Sequence, residues 1–242
     1  MSSLHDDAPL FWQFWRHSEL NTARRALMLE RIERDAVQGS DGVRPIWPQA
    51  ATPLPAPDAS VHTPWARRRS ERQFAARPLA PKALSNLLWP LSERADGHRQ
   101  LASGGGKYPL RVHVIGLALE GMPPAVHWYD PQRHGLTRRA PAPSWPVLAE
   151  VLGWADSTPA AVLVVTALVD GMVAKYGERG GRFALLEAGS YLGALQWECA
   201  RSGLGSLALG SYDDQRLLRV IHADAERELA MAVCAVGHPL QP

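Results

Sequence analysis

Three guanidinium groups and a hydroxyl fall within five positions at Arg68-Arg69-Ser70-Glu71-Arg72, just ahead of Phe74. The planar fork of arginine donates two parallel hydrogen bonds, a shape suited to phosphate oxygens. A serine hydroxyl between arginines adds a short donor to the same oxyanion. Taken alone, the cluster fits a phosphate group or a nucleic acid. Its meaning depends on three later segments: Ser103 to Pro109, Lys175 with Tyr176, and Gly203 to Asp214.

The elements that must position these segments can be read from periodicity and breakers. Pro9 to Val37 reads as helical, with Phe11, Phe14, Trp15, Leu27, Leu29 and Ile32 apolar and Arg and Glu on the other face. Gly39 to Pro64, rich in Pro, Ala and Asp, reads as a long irregular connector that wraps another surface, because Ile46 and Trp47 lie inside it. This divides the chain into an N-terminal segment, 1–62, and a compact domain, 63–242. Pro81 to Pro90 reads as a helix with Leu84, Leu87 and Leu88 on its apolar face. Strands are expected at Arg111 to Leu119, at Val126 to Tyr129 and after a turn at His134-Gly135-Leu136. Ala160 to Leu168 reads as a central strand buried on both faces. Gly181 to Ser202 reads as one long helix, ended by Gly203 and Gly205. Ser206 to Leu209 and Leu229 to Val236 supply two more strands. Without a regular βαβ rhythm, the pattern is α+β, with an antiparallel or mixed sheet and a long central helix. On that helix Gly189 and Gly193 stand four apart, a spacing that lets another backbone approach closely inside a core or subunit interface.

The bulk properties exclude several classes. The chain has 242 residues, 46% of them hydrophobic, enough for a sizeable core. A formal charge of +2 is too mild to argue for nucleic acid without a concentrated patch. Cys199 and Cys234 sit amid apolar residues without zinc-site spacing, so buried free thiols in a reducing cytoplasm are expected. The longest apolar run, from Ala160 to Val169, is too short for a membrane span, and no targeting segment is visible. His113 and His127 lack paired metal-ligand spacing, so no metal is expected. No Walker loop, nucleophile elbow or dinucleotide fingerprint is present.

In their order, these segments resemble the nitroreductase-like flavoproteins and, more narrowly, the SagB/ThcOx type of FMN-dependent dehydrogenase, which includes azoline oxidases. The likeness begins at Phe14-Trp-Arg-His-Ser-Glu-Leu-Asn and ends at Val236-Gly237. It implies a nitroreductase-like fold with a central, mostly antiparallel sheet flanked by helices. It also implies FMN as cofactor. Arg68 and Ser70 would hold the phosphate and Arg72 the ring edge, with Arg69 nearby. Ser103, Gly104 and Gly105 correspond to a loop whose glycines let backbone amides approach the flat ring. Leu209 and Gly210 correspond to the segment crossing one flavin face, where a backbone N–H meets the hydride-accepting nitrogen. Lys175 and Tyr176 resemble the azoline oxidases' catalytic pair: oxidation to an azole removes a hydride and a carbon-bound proton, and a buried lysine with a lowered pKa can take the proton.

Three positions depart from the pattern. Lys107 stands where an apolar residue is usual, Ser190 follows Gly189 where His is common, and Gly180-Gly181-Arg182 replaces Gly-Tyr-Arg. The last two remove bulk near the presumed substrate side. The resemblance further implies a cytoplasmic homodimer acting on a small or modified-peptide substrate, with a cyclodehydratase as a possible partner. An NAD(P)H-dependent nitro- or quinone-reductase and a non-catalytic partner subunit remain open on the same scaffold. Nucleic-acid binding lacks a wider basic surface and a stacking platform.

Overall fold

A computed structural model describes residues 4–38 and 55–240. Ile46 and Trp47, expected to wrap another surface, lie outside the described residues. In order, the elements are α1 (Leu4–Asp7), α2 (Pro9–Ser18), α3 (Thr22–Gln38), α4 (Ala59–Arg67), α5 (Pro81–Leu88), β1 (Leu110–Gly116), β2 (Ala125–Asp130), β3 (Gly135–Pro141), α6 (Trp145–Leu152), β4 (Ala161–Ala167), α7 (Asp170–Tyr176), α8 (Glu178–Arg201), β5 (Gly205–Leu209), α9 (Asp214–Val220) and β6 (Leu229–Gly237). The six strands form one sheet in the order β3-β2-β1-β4-β6-β5, with every neighbouring pair antiparallel.

β4 is central and all seven of its residues are buried. Its alternate side chains feed two cores. Leu163 and Val165 join Val112 and Val114 beneath Ala184, Ala188, Tyr191 and Leu195 of α8. Val162 and Val164 join Ile115 and Val126 beneath Leu148, Val151 and Leu152 of α6, Leu217 and Leu218 of α9, and Ile221 just after it. Burial on both faces is why β4 reads as a continuous apolar run and not as an alternating one.

The N-terminal stretch is two helices, not one. Asn21 accepts a hydrogen bond from Arg24 N at 3.0 Å, capping α3. Leu20, in the break, is tied in both directions to Asp214: its N–H donates to Asp214 Oδ2 at 2.8 Å and its carbonyl accepts from Asp214 N at 3.2 Å. Glu178 caps α2 across the chain, accepting from Leu10 N at 2.8 Å and Phe11 N at 2.7 Å. Phe11, Trp12 and Trp15 are thereby buried in the core that α8 covers. The expected connector also overruns, because its last residues already belong to α4. Trp65 of α4 packs on Trp197 of α8 with ring centroids 4.4 Å apart.

Candidate cofactor and substrate site

The candidate residues fall into three groups around α8. At its C-terminal end, the Arg cluster meets the start of β5. Ser70 bridges Ser206 in parallel, and Glu71 N donates to Ser206 O at 2.9 Å. Arg68 and Arg69 line a cavity of about 420 Å³ with Ala200 and Gly203 to Ser206. Glu71 is engaged by Arg69, whose Nη2 lies 3.2 Å from its carboxylate. Arg68 is half-buried and Arg72 exposed, and neither side chain has an ion-pair partner among the described residues.

The second group forms on one flank of the N-terminal half of α8. The chain turns tightly through Gly104–Gly106, with Gly105 at φ +61°. A Cβ at Gly105 would strike the Tyr176 hydroxyl and lie 2.7 Å from Lys175 Nζ. The loop therefore touches the Lys-Tyr pair at a left-handed position where a β-carbon would push both side-chain ends aside. Lys175 Nζ sits 5.1 Å from the Tyr176 ring centroid, and that ring packs edge-on against Phe183 at 5.2 Å. Ser103 Oγ accepts from Tyr108 N at 2.8 Å. Beneath the loop, Glu187 is buried, neither of its carboxylate oxygens makes a well-formed hydrogen bond among the described residues, and burial raises its pKa against the opposing pull of Ser103, Arg99 and the Gly104 N–H. Lys175 is exposed, contrary to the burial expected of a lysine base.

The third group lies at the far end of β5. A Cβ at Gly210 would meet nothing within 4 Å, so the space before it is open. β5 is an edge strand. Because Ser206 directs its carbonyl outward to Glu71, alternation turns the backbone N–H and C=O of Ala208 to the same free edge. Ala208 is exposed there, while the backbone of Leu209, expected with Gly210 beside the hydride acceptor, alternates toward β6.

The cavity at the arginine cluster, the one at Gly210 and the one beside the Gly104 loop are each lined by members of a single group. Along α8, Ala200 of the first group and Glu187 of the second are on the order of 20 Å apart by helical rise. Between the flanks runs an exposed stripe. Leu186 is 66% exposed, and a Cβ on Gly189 or Gly193 would meet nothing within 4 Å.

One departure from the family pattern is compensated. A Cβ on Gly181 would run into the ring of Phe11, whose Cγ would lie 2.5 Å away. Bulk absent at Gly181 is supplied by α2, correcting the expectation of an emptied substrate side. Ser190 stays exposed, donating to Glu187 O at 2.7 Å.

An antiparallel sheet wrapped by helices, with one long helix against it, is the nitroreductase-like fold. A sequence model of the nitroreductase family matches residues 65–238, and the chain belongs to that family. A Methanocaldococcus jannaschii protein, MJ1384, named provisionally as a nitroreductase, is 25% identical over 187 residues, spanning 72% of this chain and 89% of its own. A chain of the Escherichia coli microcin synthetase McbBCD complex, determined with truncated pro-MccB17 bound, superposes with a TM-score of 0.69 at 18% identity, over 98% of this chain and 97% of that one. A Desulfovibrio desulfuricans protein, also provisionally a nitroreductase and determined with FMN, gives a TM-score of 0.50 at 19% identity, over 76% of this chain and 89% of that one.

Proposed function

We propose that the chain is an FMN-dependent dehydrogenase of azoline-like, small or peptide-derived substrates, working as a homodimer. The observation that carries this is the convergence of the Gly104–Gly106 turn on Lys175 and Tyr176 near the N-terminal end of α8, with Arg68 and Arg72, which have no ion-pair partner among the described residues, at its other end. The FMN-bound relative and the microcin synthetase chain, whose complex holds a pro-peptide, support it.

The residues present fit the cofactor. A phosphate dianion needs fixed cations and donors, and Arg68 with Ser70 supplies them without competition from Glu71, which Arg69 engages. Arg72 would meet the polar ring edge. The free backbone of Ala208 and the open face of Gly210 would border the ring. The flavin, when bound, supplies the hydride acceptor. Lys175 would take the carbon-bound proton as the hydride departs, with the Tyr176 ring, 5.1 Å from its Nζ, orienting it or the substrate. The separation along α8 is met by a second copy: packing on the Gly189/Gly193 stripe would bring one chain's arginines toward the other's Lys175.

The purified protein is expected to be yellow and to release FMN. Lys175→Ala should keep the flavin and lose substrate oxidation; full activity would remove the proton-abstraction role. The exposure of Lys175 favours a second reading, an NAD(P)H-dependent reductase that needs no such base, and rapid anaerobic bleaching by NADPH would select it. Colourless protein that cannot be reconstituted would indicate a non-catalytic subunit, whose partner could be a cyclodehydratase.

A further inference from the structure

A crevice of about 360 Å³ opens where the first residues of β1 run past the end of their pairing with β2. It shares no lining residue with the cavity at the arginine cluster, and neither Lys175 nor Tyr176 lines it. Arg99 stands in its wall. Arg99 Nη1 donates to Leu110 O and to the Tyr191 hydroxyl, both at 2.9 Å, and the guanidinium lies over the Tyr108 ring, 5.2 Å from the centroid. Leu110, Tyr191 and Tyr108 all line the crevice, so the guanidinium is held at its surface. Tyr108 itself is held at φ +45°, a left-handed conformation uncommon outside glycine. These ties use Nη1 alone. Arg99 is half-buried, and its Nε and Nη2 make no hydrogen bond to the described residues, yet neither is sealed from solvent. The two atoms form one edge of the guanidinium, where their N–H groups point in parallel. Lys107, which the proposed chemistry leaves without a role, lines the same crevice, exposed and without an ion-pair partner among the described residues. No aspartate or glutamate lines it. Arg111 lines it too, but its Nη1 is engaged by Glu228 at 3.0 Å. Glu187 feels the charge of Arg99 with no ion pair between them.

We infer that this crevice binds a carboxylate carried on a flat apolar body. A carboxylate accepts two parallel N–H···O bonds from one guanidinium edge, and the Lys107 ammonium adds charge beside it. A phosphate dianion calls for more fixed donors than one fork supplies, and a neutral ligand would leave both cations without a counter-charge. Leu91, Trp128, Tyr129 and Leu168 supply the apolar and aromatic part of the wall. The volume lies at the small end for small-molecule sites, which suits one or two fused rings. Lys107 directly follows the Gly104–Gly106 turn, and Gly171, which also lines the crevice, stands one helical turn before Lys175 on α7. An occupant would therefore lie against the two elements that carry the Lys-Tyr group. The inference goes beyond the proposed function and does not rest on a bound flavin.

Calorimetric titration of the full chain with 2-naphthoate tests this, with the visible spectrum recorded first and 2-naphthamide, 2-naphthyl phosphate and acetate as comparisons. Wild type should bind 2-naphthoate at least about tenfold tighter than the neutral amide, a lost charge-assisted hydrogen bond being worth roughly that factor. It should bind the phosphate more weakly than the carboxylate, and acetate, without the rings, not at all at millimolar concentration. Arg99→Lys keeps the charge and removes the fork, and should weaken 2-naphthoate about tenfold. Lys107→Glu alters an exposed side chain, so the fold is kept, and it should also weaken 2-naphthoate about tenfold while leaving the amide nearly unaffected. No binding of 2-naphthoate by wild type at millimolar concentration overturns the inference. So does equal affinity for acid and amide, tighter binding of the phosphate or of acetate, or indifference to both substitutions. In yellow protein, a flavin band that shifts on binding whether or not Arg99 and Lys107 are replaced would put the acid at the cofactor and also overturn it. Colourless protein that shows the expected pattern would sink the cofactor reading and leave this site standing.

Discussion

At the scale of single residues, chemistry is concentrated where backbone and side chain leave each other no room. Gly105 combines positive φ with contact to Tyr176 and Lys175, so Gly105→Ala must displace the pair. A displacement near 1 Å is enough to cost roughly a hundredfold in turnover. The expected outcome is therefore flavin retention with activity reduced on that order; unchanged turnover would show that the contact does not position the pair. Glu228 makes a different argument. Burial disfavours its charge, but the His113 ring 3.6 Å away, a hydrogen bond from Thr166 and the charge of Arg111 outweigh that and hold its pKa at about 2, below the ordinary 4.5. A depressed carboxylate contributes stability above its unfolded pKa and loses it as pH falls through the folded value. The window is thus about pH 4.5 down to 2, and the shift corresponds to on the order of 3 kcal/mol. Thr166 Oγ1 donates to Glu228 Oε2 at 2.6 Å. Denaturant melts of Thr166→Val should show a loss of about 1–3 kcal/mol at pH 7. The gap from wild type should narrow at pH 3; a constant gap would assign the loss to packing alone.

At the scale of elements, what the sequence disclosed follows from how local each signal is. β4 and α8 were legible because their apolar runs are long and need no partner to be recognised. α6 and α9 span only eight and seven residues, too few turns for a periodic stripe, although Ser144, Pro146 and Gly153 bound α6 in the way of a helix start and stop. The groupings of site residues were legible only as an ordered set, since which strand edge stays free is decided by pairing. Gly181 was the position least open to sequence reasoning, because its missing bulk is restored from 170 residues away by Phe11. That compensation predicts strong coupling. Phe11→Ala should cost about 3–5 kcal/mol by opening a hole. Gly181→Ala should be destabilising in wild type, where it meets the ring, and neutral or better in the Phe11→Ala background. Additive free energies in a double-mutant cycle would mean that the two positions do not share the space.

At the scale of the whole molecule, one helix connects everything. α8 roofs the sheet with its buried face and separates the arginine end from the Lys175 end along its length. Its outward stripe carries Leu186, 66% exposed, with Gly189 and Gly193, where an added Cβ would meet none of the described residues within 4 Å. Glycine inside a helix costs about 1 kcal/mol relative to alanine, and among the described residues no steric need repays it. Close approach of a second backbone would. This separates two substitutions that otherwise look alike. Gly189→Ala should raise the stability of an isolated chain by up to about 1 kcal/mol, yet weaken a dimer whose helices touch there. Gly189→Arg should leave the helical circular dichroism intact while light scattering falls to the single-chain mass of 26.5 kDa. If the arginines of one copy and Lys175 of the other serve one cofactor, the flavin should be lost in the same step. Wild-type protein that scatters as a single chain and is nonetheless yellow would show that one copy holds the cofactor unaided, and the separation along α8 would then need another resolution.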